Sequence, residues 1–279
     1  WFGNVFTGHP MVSSFKQDIR TMTLKLKGFD AIIHLANIAN DPAGDLNPKL
    51  TWEVNALGMA NLAERAAREG VKQFIYASSG SVYGVSEAKE VTEHTPLVPL
   101  TEYNKSKMVA ERVLLSYADR MAVQIIRPGT VCGVSKRQRL DITVNGMVAG
   151  ACNRGKIAVV NAKQNRPNIH IEDLTDLYLW MLENPRLTGI WNAGFENLKG
   201  SQIAGIVGGF FEDLPVIETA SADRRSYRMN SDKLLKAGFE PRFTVKDAVG
   251  DLIDSYHEGQ LREEDKCYNL RVMKNSALA

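Results

Sequence analysis

The sequence has few of the features that mark specialised classes of protein. Only three of its 279 residues are cysteines, and they are widely spaced, which disfavours a disulfide framework and a metal site. No apolar run approaches the ~18 residues of a membrane-spanning helix, and no secretory signal is visible. The formal net charge is only +2 at pH 7, too small to favour nucleic acid or a membrane surface as a partner. These absences predict a cytoplasmic protein with reduced thiols.

What the chain does contain is ordinary for a globular protein. Hydrophobic residues make up 44% of it and charged residues 24%. Its length is sufficient for one large α/β domain, or for one such domain with a smaller lobe.

The most informative stretch runs from Ser78 to Lys107. The apolar residues 71–77 predict a buried strand that ends at Ser79 and its neighbour. A Pro-containing loop follows, and Thr101 marks the start of a helix. Tyr103 and Lys107 are four residues apart on that helix and therefore lie on one face. A strand end and a helix start place these side chains at the carboxyl edge of a sheet, where open α/β folds bind ligands.

These three residue types suit hydride transfer at a carbinol carbon. Tyrosine has a pKa of about 10 and is a poor base at neutral pH. The ammonium of Lys107 beside Tyr103 would favour the phenolate and lower that pKa. The Ser79 hydroxyl could hold the substrate oxygen and relay its proton. A Tyr-x-x-x-Lys pair alone is weak evidence in a chain with 8 tyrosines, because an exposed helical pair is the common alternative.

Several further motifs occur in a definite order along the chain. They are Asp18-Ile19-Arg20, Ile33-His34-Leu35-Ala36, Asn55, the Ser78–Gly84 and Tyr103–Lys107 segments, Arg127-Pro128-Gly129 and Ile169-His170-Ile171-Glu172-Asp173. In this order they resemble the extended short-chain dehydrogenases/reductases of the NAD-dependent epimerase/dehydratase family. The resemblance extends from Asp18 to about Tyr256, and members of that family mostly act on nucleotide-linked sugars.

The resemblance implies a set of binding residues. NAD is the expected cofactor, with NADP also open, and a nucleotide-linked sugar is the expected substrate of a homodimeric enzyme. The implied cofactor-binding residues are Asp18, Ile19, Leu35, Ala36, Asn37, Asn55, Ser79, Tyr103, Lys107 and Gly129. The implied substrate-binding residues are Ser79, Ser81, Thr130, Arg166 and Arg225. His34 is interpreted as a packed core residue rather than an acid or a base.

One family feature is missing from the sequence. No Gly-x-Gly-x-x-Gly or Gly-x-x-Gly-x-x-Gly fingerprint occurs, although such a loop normally meets the cofactor pyrophosphate. The interpretation is that about one βαβ unit is missing and that the chain enters after the second strand; a fragment, an engineered truncation and a disordered start are alternatives. We therefore expect these 279 residues to bind a nicotinamide cofactor weakly or not at all.

The predicted fold is a doubly wound, Rossmann-like parallel α/β sheet, truncated at its N-terminus. Residues 1–185 are assigned to the cofactor-binding domain and 186–279 to a smaller C-terminal substrate-binding lobe and tail. A polar loop is predicted over Asp41–Pro48, and a helix from about Leu50 to Glu69. Asp173 is predicted to start a helix, and the charged tail from Gly259 to be mobile.

The reaction type stays open between two classes at this stage. An epimerase would use the Ser79, Tyr103 and Lys107 set twice, and a 4-ketoreductase would use it once. A 4,6-dehydratase is less favoured, because Gly80 and Ser81 stand where dehydratases of the family have an Asp-Glu pair. The alternative from a different class is a cofactor-binding regulator without turnover.

Overall fold

The computed structural model describes residues 9–86, 88–221 and 226–276. Its strands are β1 (Ala31–His34), β2 (Gln73–Ala77), β3 (Ala122–Pro128), β4 (Thr130–Cys132), β5 (Ile157–Val160), β6 (Asn165–His170), β7 (Gly189–Ala193), β8 (Glu196–Lys199) and β9 (Val216–Thr219). Its helices are α1 (Asp41–Leu46), α2 (Pro48–Trp52), α3 (Met59–Glu69), α4 (Glu102–Leu115), α5 (Thr143–Arg154), α6 (Ile171–Glu183), α7 (Gly200–Gly208), α8 (Asp232–Lys236), α9 (Val245–His257) and α10 (Asn269–Lys274). A π-helical segment, Glu53–Gly58, joins α2 to α3, and 3₁₀ segments cover Gly80–Tyr83 and Asp265–Cys267.

Within the described residues, four parallel strands form the main sheet in the order β1-β2-β3-β7. Ile33 lies opposite Ile75 across β1 and β2, and Ile126 lies opposite Trp191 across β3 and β7. Two small sheets accompany it: β4-β6-β8, in which β8 is antiparallel, and the parallel pair β5-β9. Because β1, β2 and β3 are parallel, the loops that follow them emerge at one edge.

Helices cover both faces of the main sheet, as a doubly wound α/β fold requires. Phe74 of β2 packs on one face with residues of α3 and α4, such as Leu62 and Leu114. Its neighbour Ile75 points to the other face and packs with Leu177 of α6. This alternation of buried side chains is the period-2 pattern of a strand that is covered on both sides. The predicted fold class is confirmed.

A separate hydrophobic cluster lies beside the main sheet. There β5 packs with α5, α7 and α9 through side chains such as Val148, Val207 and Val249. The strand β7 belongs to the main sheet, although the predicted boundary at residue 185 assigns it to the second unit. The division of the chain into two domains stays a prediction.

The loop predicted over Asp41–Pro48 is wrong, because most of it forms α1. Pro42 occupies the first turn of this helix, a position where proline is tolerated. Thr51 Oγ1 donates to Gly44 O at 2.8 Å, and Thr101 Oγ1 donates to Asp41 Oδ1 at 2.7 Å. Thr101 is 60 residues away from Asp41, and Thr51 also lies outside the segment 41–48, so the residues of that segment alone do not predict the helix.

The helix predicted to end at Glu69 does so, and Gly70 terminates it with a left-handed φ of 87°. It begins earlier than predicted, at Pro48, with Asn47 Oδ1 accepting from Leu50 N at 3.0 Å. The π-helical segment in its middle was not predicted. Such segments are frequent at functional sites, and this one carries Asn55.

The prediction that Asp173 starts its helix is wrong. Asp173 instead anchors a distant loop. The helix begins at Ile171, where His170 Nδ1 accepts from the backbone of Glu172 at 3.2 Å. The buried carboxylate of Asp173 accepts from the backbone N–H groups of Arg242 at 2.8 Å and Phe243 at 3.1 Å. Asp173 therefore positions the segment that leads into α9.

The tail after Gly259 packs onto the body of the protein, contrary to the prediction of a mobile tail. Asn269 N donates to Asp141 Oδ2 at 3.0 Å, and Asn269 Nδ2 donates to Ala39 O at 3.2 Å. Arg137 Nη2 donates to Asn269 Oδ1 at 2.9 Å. A net of polar contacts thus ties the tail to the loop after β1. In the part of the chain that the structure describes, no helix is both long and apolar enough to cross a membrane.

Candidate active site

A large cleft opens at the carboxyl edge of the main sheet, with a volume of about 980 Å³. This is near the upper end of the ~300–1,000 Å³ range of small-molecule sites. Ser79 and Ser81, Tyr103, Arg166 and the tail residue Arg271 are among the residues that line it. The predicted edge of the sheet is therefore where the concave surface lies.

Helix α4 places Tyr103 in the lining of this cleft and buries Lys107 one helical turn further along. Thr101 caps the helix by accepting from Asn104 N at 3.2 Å, as its position before the predicted helix indicated. The Lys107 Nζ atom lies 5.8 Å from the centroid of the Tyr103 ring. The two side chains therefore share one face of the helix, as their spacing predicted. Tyr103 also packs closely on Gly44 of α1, where an added Cβ would lie 3.0 Å from Tyr103 Cβ.

Lys107 is a buried amine at the end of β2. Its Nζ donates to Ala77 O at 2.6 Å and lies 4.8 Å from the centroid of the Tyr76 ring. Burial lowers the pKa of Lys107 from 10.5 to about 7, although the nearby Glu111 carboxylate opposes this shift. His34 stacks on Tyr76, and burial together with Lys107 lowers the pKa of His34 to about 3. This neutral, buried imidazole agrees with the predicted packing role.

The depressed pKa of Lys107 predicts a pH-dependent stability. Between pH 7 and 10.5 the unfolded chain keeps the Lys107 proton and the folded chain releases it. The free energy of unfolding therefore rises with pH across this window, by up to about 1.4 kcal/mol per pH unit. Below about pH 7 both states keep the proton, so Lys107 makes no contribution to the pH dependence there. We expect this rise to disappear in Lys107→Met, as measured by urea unfolding of both proteins at a series of pH values.

Lys105→Met is the matched control, because Lys105 lies on the same helix with 42% of its side chain exposed. This control should follow the parent protein across the window. A Lys107→Met variant whose stability rises with pH as steeply as that of the parent would show that the amine is not desolvated in the folded chain.

The segment after β2 presents Ser79. Ser79 Oγ accepts from Ser81 N at 3.2 Å and so caps the 3₁₀ segment Gly80–Tyr83. The two serine hydroxyls are 2.7 Å apart, and Ser81 Oγ donates to Asn104 Oδ1 at 2.6 Å. Ser79 therefore lies beside the helix start that carries Tyr103, as the strand-end prediction implied.

Asn55 is fully buried and satisfies the backbone next to the cleft. Its Oδ1 accepts from Ile38 N at 2.8 Å, and its Nδ2 donates to Ile38 O at 3.0 Å. Nδ2 also approaches Ser106 Oγ at 3.2 Å, and that hydroxyl donates to Tyr103 O at 2.8 Å. The side chain thereby ties the loop after β1 to α4. The resemblance also implies that Asn55 helps to hold the active-site backbone, and this role stays a prediction.

The segment after β1 carries a polar side chain, Asn37, that could bind a ligand at the sheet edge. Leu35 and Ala36 are exposed, whereas both side-chain polar atoms of Asn37 are buried and have no hydrogen-bond partner among the described residues. Buried amides are normally paired, so a polar ligand group could satisfy this one. On the approach to β1, Ile19 packs near Gly58, and the Asp18 carboxylate pairs with Arg20 at 2.7 Å.

The remaining predicted residues have mixed surroundings. Gly129 is needed for packing, because an added Cβ would lie 2.7 Å from Pro167 O. Thr130 and Arg166 line the cleft, and Arg166 Nη2 donates to Gln164 Oε1 at 2.9 Å. Arg225 lies outside the described residues. The assignment of cofactor and substrate contacts to these positions stays a prediction.

A buried ion pair behind the site was not predicted from the sequence. Arg127, at the end of β3, donates to both oxygens of Glu111 on α4, at 2.9 and 2.6 Å. Ser78 Oγ also donates to Glu111, and Arg127 Nη1 donates to Tyr83 OH at 2.9 Å. Ser78 and Tyr83 bracket the Ser79 segment, so the pair holds that segment at both ends. The sequence did contain a signal for Glu111. It lies four residues after Lys107 and therefore on the same face of the helix as Tyr103 and Lys107.

Comparison of the sequence with models of known protein families identifies the family of this chain. Residues 15–194, well over half of the chain, match the model of the NAD dependent epimerase/dehydratase family. This chain belongs to that family.

Curated relatives within this family are moderately similar in sequence. A putative UDP-arabinose 4-epimerase 4 from Arabidopsis thaliana is 32% identical over 189 residues, which cover 60% of this chain and 43% of that protein. The GDP-6-deoxy-D-mannose reductase from Pseudomonas aeruginosa is 24% identical over 251 residues, covering 84% and 82%. The chain thus spans less than half the length of the plant epimerase that it matches.

Solved structures of similar fold support the architecture. RMD from Pseudomonas aeruginosa, complexed with NADPH, superposes with a TM-score of 0.75 at 23% identity and covers 83% of this chain and 82% of its own. A UDP-N-acetylglucosamine 4-epimerase from Methanobrevibacter ruminantium superposes with a TM-score of 0.81 at 18% identity, covering 88% and 83%.

Proposed function

We propose that this chain acts on a nucleotide-linked sugar by NAD(P)-dependent hydride transfer, as a 4-epimerase or a 4-ketoreductase. The observation that carries the proposal is that Tyr103 and Ser79 line one cleft and that the buried Lys107 Nζ lies 5.8 Å from the centroid of the Tyr103 ring. Family membership supports an enzyme of the epimerase, reductase and dehydratase group. The relatives named for UDP-arabinose and for GDP-6-deoxy-D-mannose support the nucleotide-sugar class.

The residues present fit a nicotinamide cofactor at the edge of the main sheet. Among the described residues, Asn37 after β1 has a buried amide without a hydrogen-bond partner, and Lys107 places a buried amine at the end of β2. When bound, the cofactor would accept hydride from the sugar carbon and return it. Asp18, Ile19, Leu35 and Ala36 are the further residues proposed to hold it.

The chain's own residues would handle the proton. Tyr103 would take the proton of the sugar hydroxyl and later return it. Lys107 favours the phenolate of Tyr103 while it carries its charge, and its lowered pKa limits that state to near-neutral and acidic pH. Ser79 would hold the reacting oxygen, and Arg166 would meet the diphosphate, which suits its planar guanidinium.

The structure disfavours water elimination. An added Cβ at Gly80 would lie 2.5 Å from Met229 Cε and 3.0 Å from Pro128 O, so this position has no room for an acidic side chain. Ser81 is engaged with Asn104 and cannot supply a carboxylate. Burial raises the pKa of the Cys132 thiol to about 12, which makes it a poor acid in this region.

We therefore expect products that keep all of their oxygen atoms. With cofactor and a nucleotide pentose or hexose, mass spectrometry should find an epimer of unchanged mass, or a product two hydrogens heavier from a keto-sugar. A product lighter by one water, dependent on Tyr103, would assign the chain to the dehydratases.

A thermal-shift screen identifies the ligand before turnover is measured. NAD, NADP and a panel of nucleotide sugars are added singly, because a ligand that binds only the folded chain raises its melting temperature. Binding of a cofactor without turnover of any sugar in the panel would favour a regulatory protein over an enzyme.

A further inference from the structure

A chain of hydrogen bonds leads from the cleft into the interior through Asn104. Ser79 Oγ lies 2.7 Å from Ser81 Oγ, and Ser81 Oγ donates to Asn104 Oδ1 at 2.6 Å. Asn104 is fully buried in the first turn of α4, directly after Tyr103. Ser79 and Ser81 line the cleft, so this chain ends at the reacting region.

The number of available protons fixes which group donates in each hydrogen bond of this series. A hydroxyl has one proton, and a side-chain carbonyl oxygen can only accept. Because Ser81 donates its proton to Asn104, the contact between the two serines uses the proton of Ser79. Ser79 Oγ also accepts from Ser81 N at 3.2 Å. In this arrangement Ser79 offers the cleft a lone pair and no proton.

The other end of the Asn104 amide is unsatisfied. Among the residues described, no acceptor lies within hydrogen-bond reach of the buried Nδ2. A half-turn of the amide would bring Nδ2 to Ser81, and the two ends of the amide have nearly the same size. Asn104 would then donate to Ser81, Ser81 would donate to Ser79, and the proton of Ser79 would face the cleft.

We propose that Asn104 is a positioning residue that sets the direction of the Ser79 proton through Ser81. This inference rests on the proposed function, because the reaction interconverts an alcohol and a ketone at one carbon. In the proposed reaction the single proton of the alcohol goes to Tyr103, so the reacting oxygen accepts from Ser79 both as an alcohol and as a ketone. The turned amide, with its donor end at Ser81, is the orientation that supplies this Ser79 proton to the cleft.

The test compares two variants in each direction of the reaction. Asn104→Leu removes both ends, and we expect oxidation of the alcohol and reduction of the ketone each to slow by about 10- to 100-fold, the range typical of residues that orient a reacting group. The KM values should change less than two-fold, since the cleft surface is kept. Lys105→Gln, one residue along and exposed, should behave as the parent in both directions.

Asn104→Asp separates a positioning role from a purely structural one. An ionised carboxylate only accepts, so it keeps the Ser79 proton away from the cleft, and at neutral pH both directions should slow as in Asn104→Leu. As the pH falls and the carboxyl becomes protonated, it regains a donor, and both rates should recover toward those of the parent at the same pH. Loss of packing alone would give no such recovery.

A nuclear magnetic resonance measurement tests the chain without activity. In the full-length protein the side-chain amide signal of Asn104 is identified by its loss in Asn104→Leu. Replacement of Ser81 by alanine should move this signal, and an unmoved signal would overturn the hydrogen-bond chain. If the parent turns over no sugar, the proposed function fails. If the parent is active and a folded Asn104→Leu variant keeps both rates, the inference about Asn104 fails.

Discussion

Replacing Tyr103 with phenylalanine is expected to reduce kcat by about 10²- to 10⁴-fold, the usual contribution of a positioned acid or base. The substitution removes only the phenolic oxygen, so the close packing of Tyr103 Cβ on Gly44 and the cap of α4 are kept. The melting temperature and the affinity for cofactor should therefore stay close to those of the parent. Steady-state kinetics with the sugar found in the thermal-shift screen would measure the loss.

Tyr117→Phe provides the matched control, because it removes the same oxygen from a tyrosine just beyond the C-terminal end of α4. Its kcat should equal that of the parent. Near-parental turnover by Tyr103→Phe would show that another group moves the proton, and the assignment of the base would be wrong.

Replacing Glu111 with glutamine is expected to lower the free energy of unfolding by about 3–5 kcal/mol. This is the cost of removing the charge of one partner from a buried ion pair. The side chains of Arg127 and Glu111 are 2% and 1% exposed, so the guanidinium left behind has no access to water. Urea unfolding should show a lower midpoint at an unchanged slope, which reports stability rather than compactness.

The double variant with Glu111→Leu and Arg127→Met removes both charges at once. Because no uncompensated charge then remains buried, we expect it to regain most of the stability that Glu111→Gln loses. Glu64→Gln is the control, since its partner Arg68 is 59% exposed, and it should change stability by no more than about 0.5 kcal/mol. A loss in Glu111→Gln as small as that of the control would mean that the pair contributes little to folding.

The order of the local elements could be predicted from the sequence where the pattern was periodic and bounded by clear signals. The sequence also predicts helices over Thr143–Arg154 and Val245–His257, and the structure has both at these bounds. The strand before Ser79 is also confirmed, although it begins at Gln73 rather than at residue 71. These elements agree because their hydrophobic faces and their caps are both local features.

The errors share one physical cause, which is dependence on hydrogen-bond partners that lie outside the segment whose structure was predicted. Helix α1 forms in a polar, Pro-containing segment because Thr51 and Thr101 satisfy its backbone and its first turn. The tail packs because Asn269 bonds to loops more than a hundred residues earlier. No local pattern contains such contacts, so neither element was predicted.

The features of the candidate site also fall into two groups, those set by the local sequence and those set by contacts with other parts of the fold. By itself the sequence determined the family motifs and the shared helical face of Tyr103 and Lys107. It also placed Ser79 at a strand end, because residue spacing and strand order are properties of the chain. Only the tertiary structure decided the burial of Lys107 and the pairing of Glu111 with Arg127. It also decided that, among the described residues, the Asn37 amide and the Asn104 Nδ2 have no hydrogen-bond partner. Desolvation and hydrogen bonding depend on which distant groups surround a side chain, and that arrangement exists only once the chain has folded.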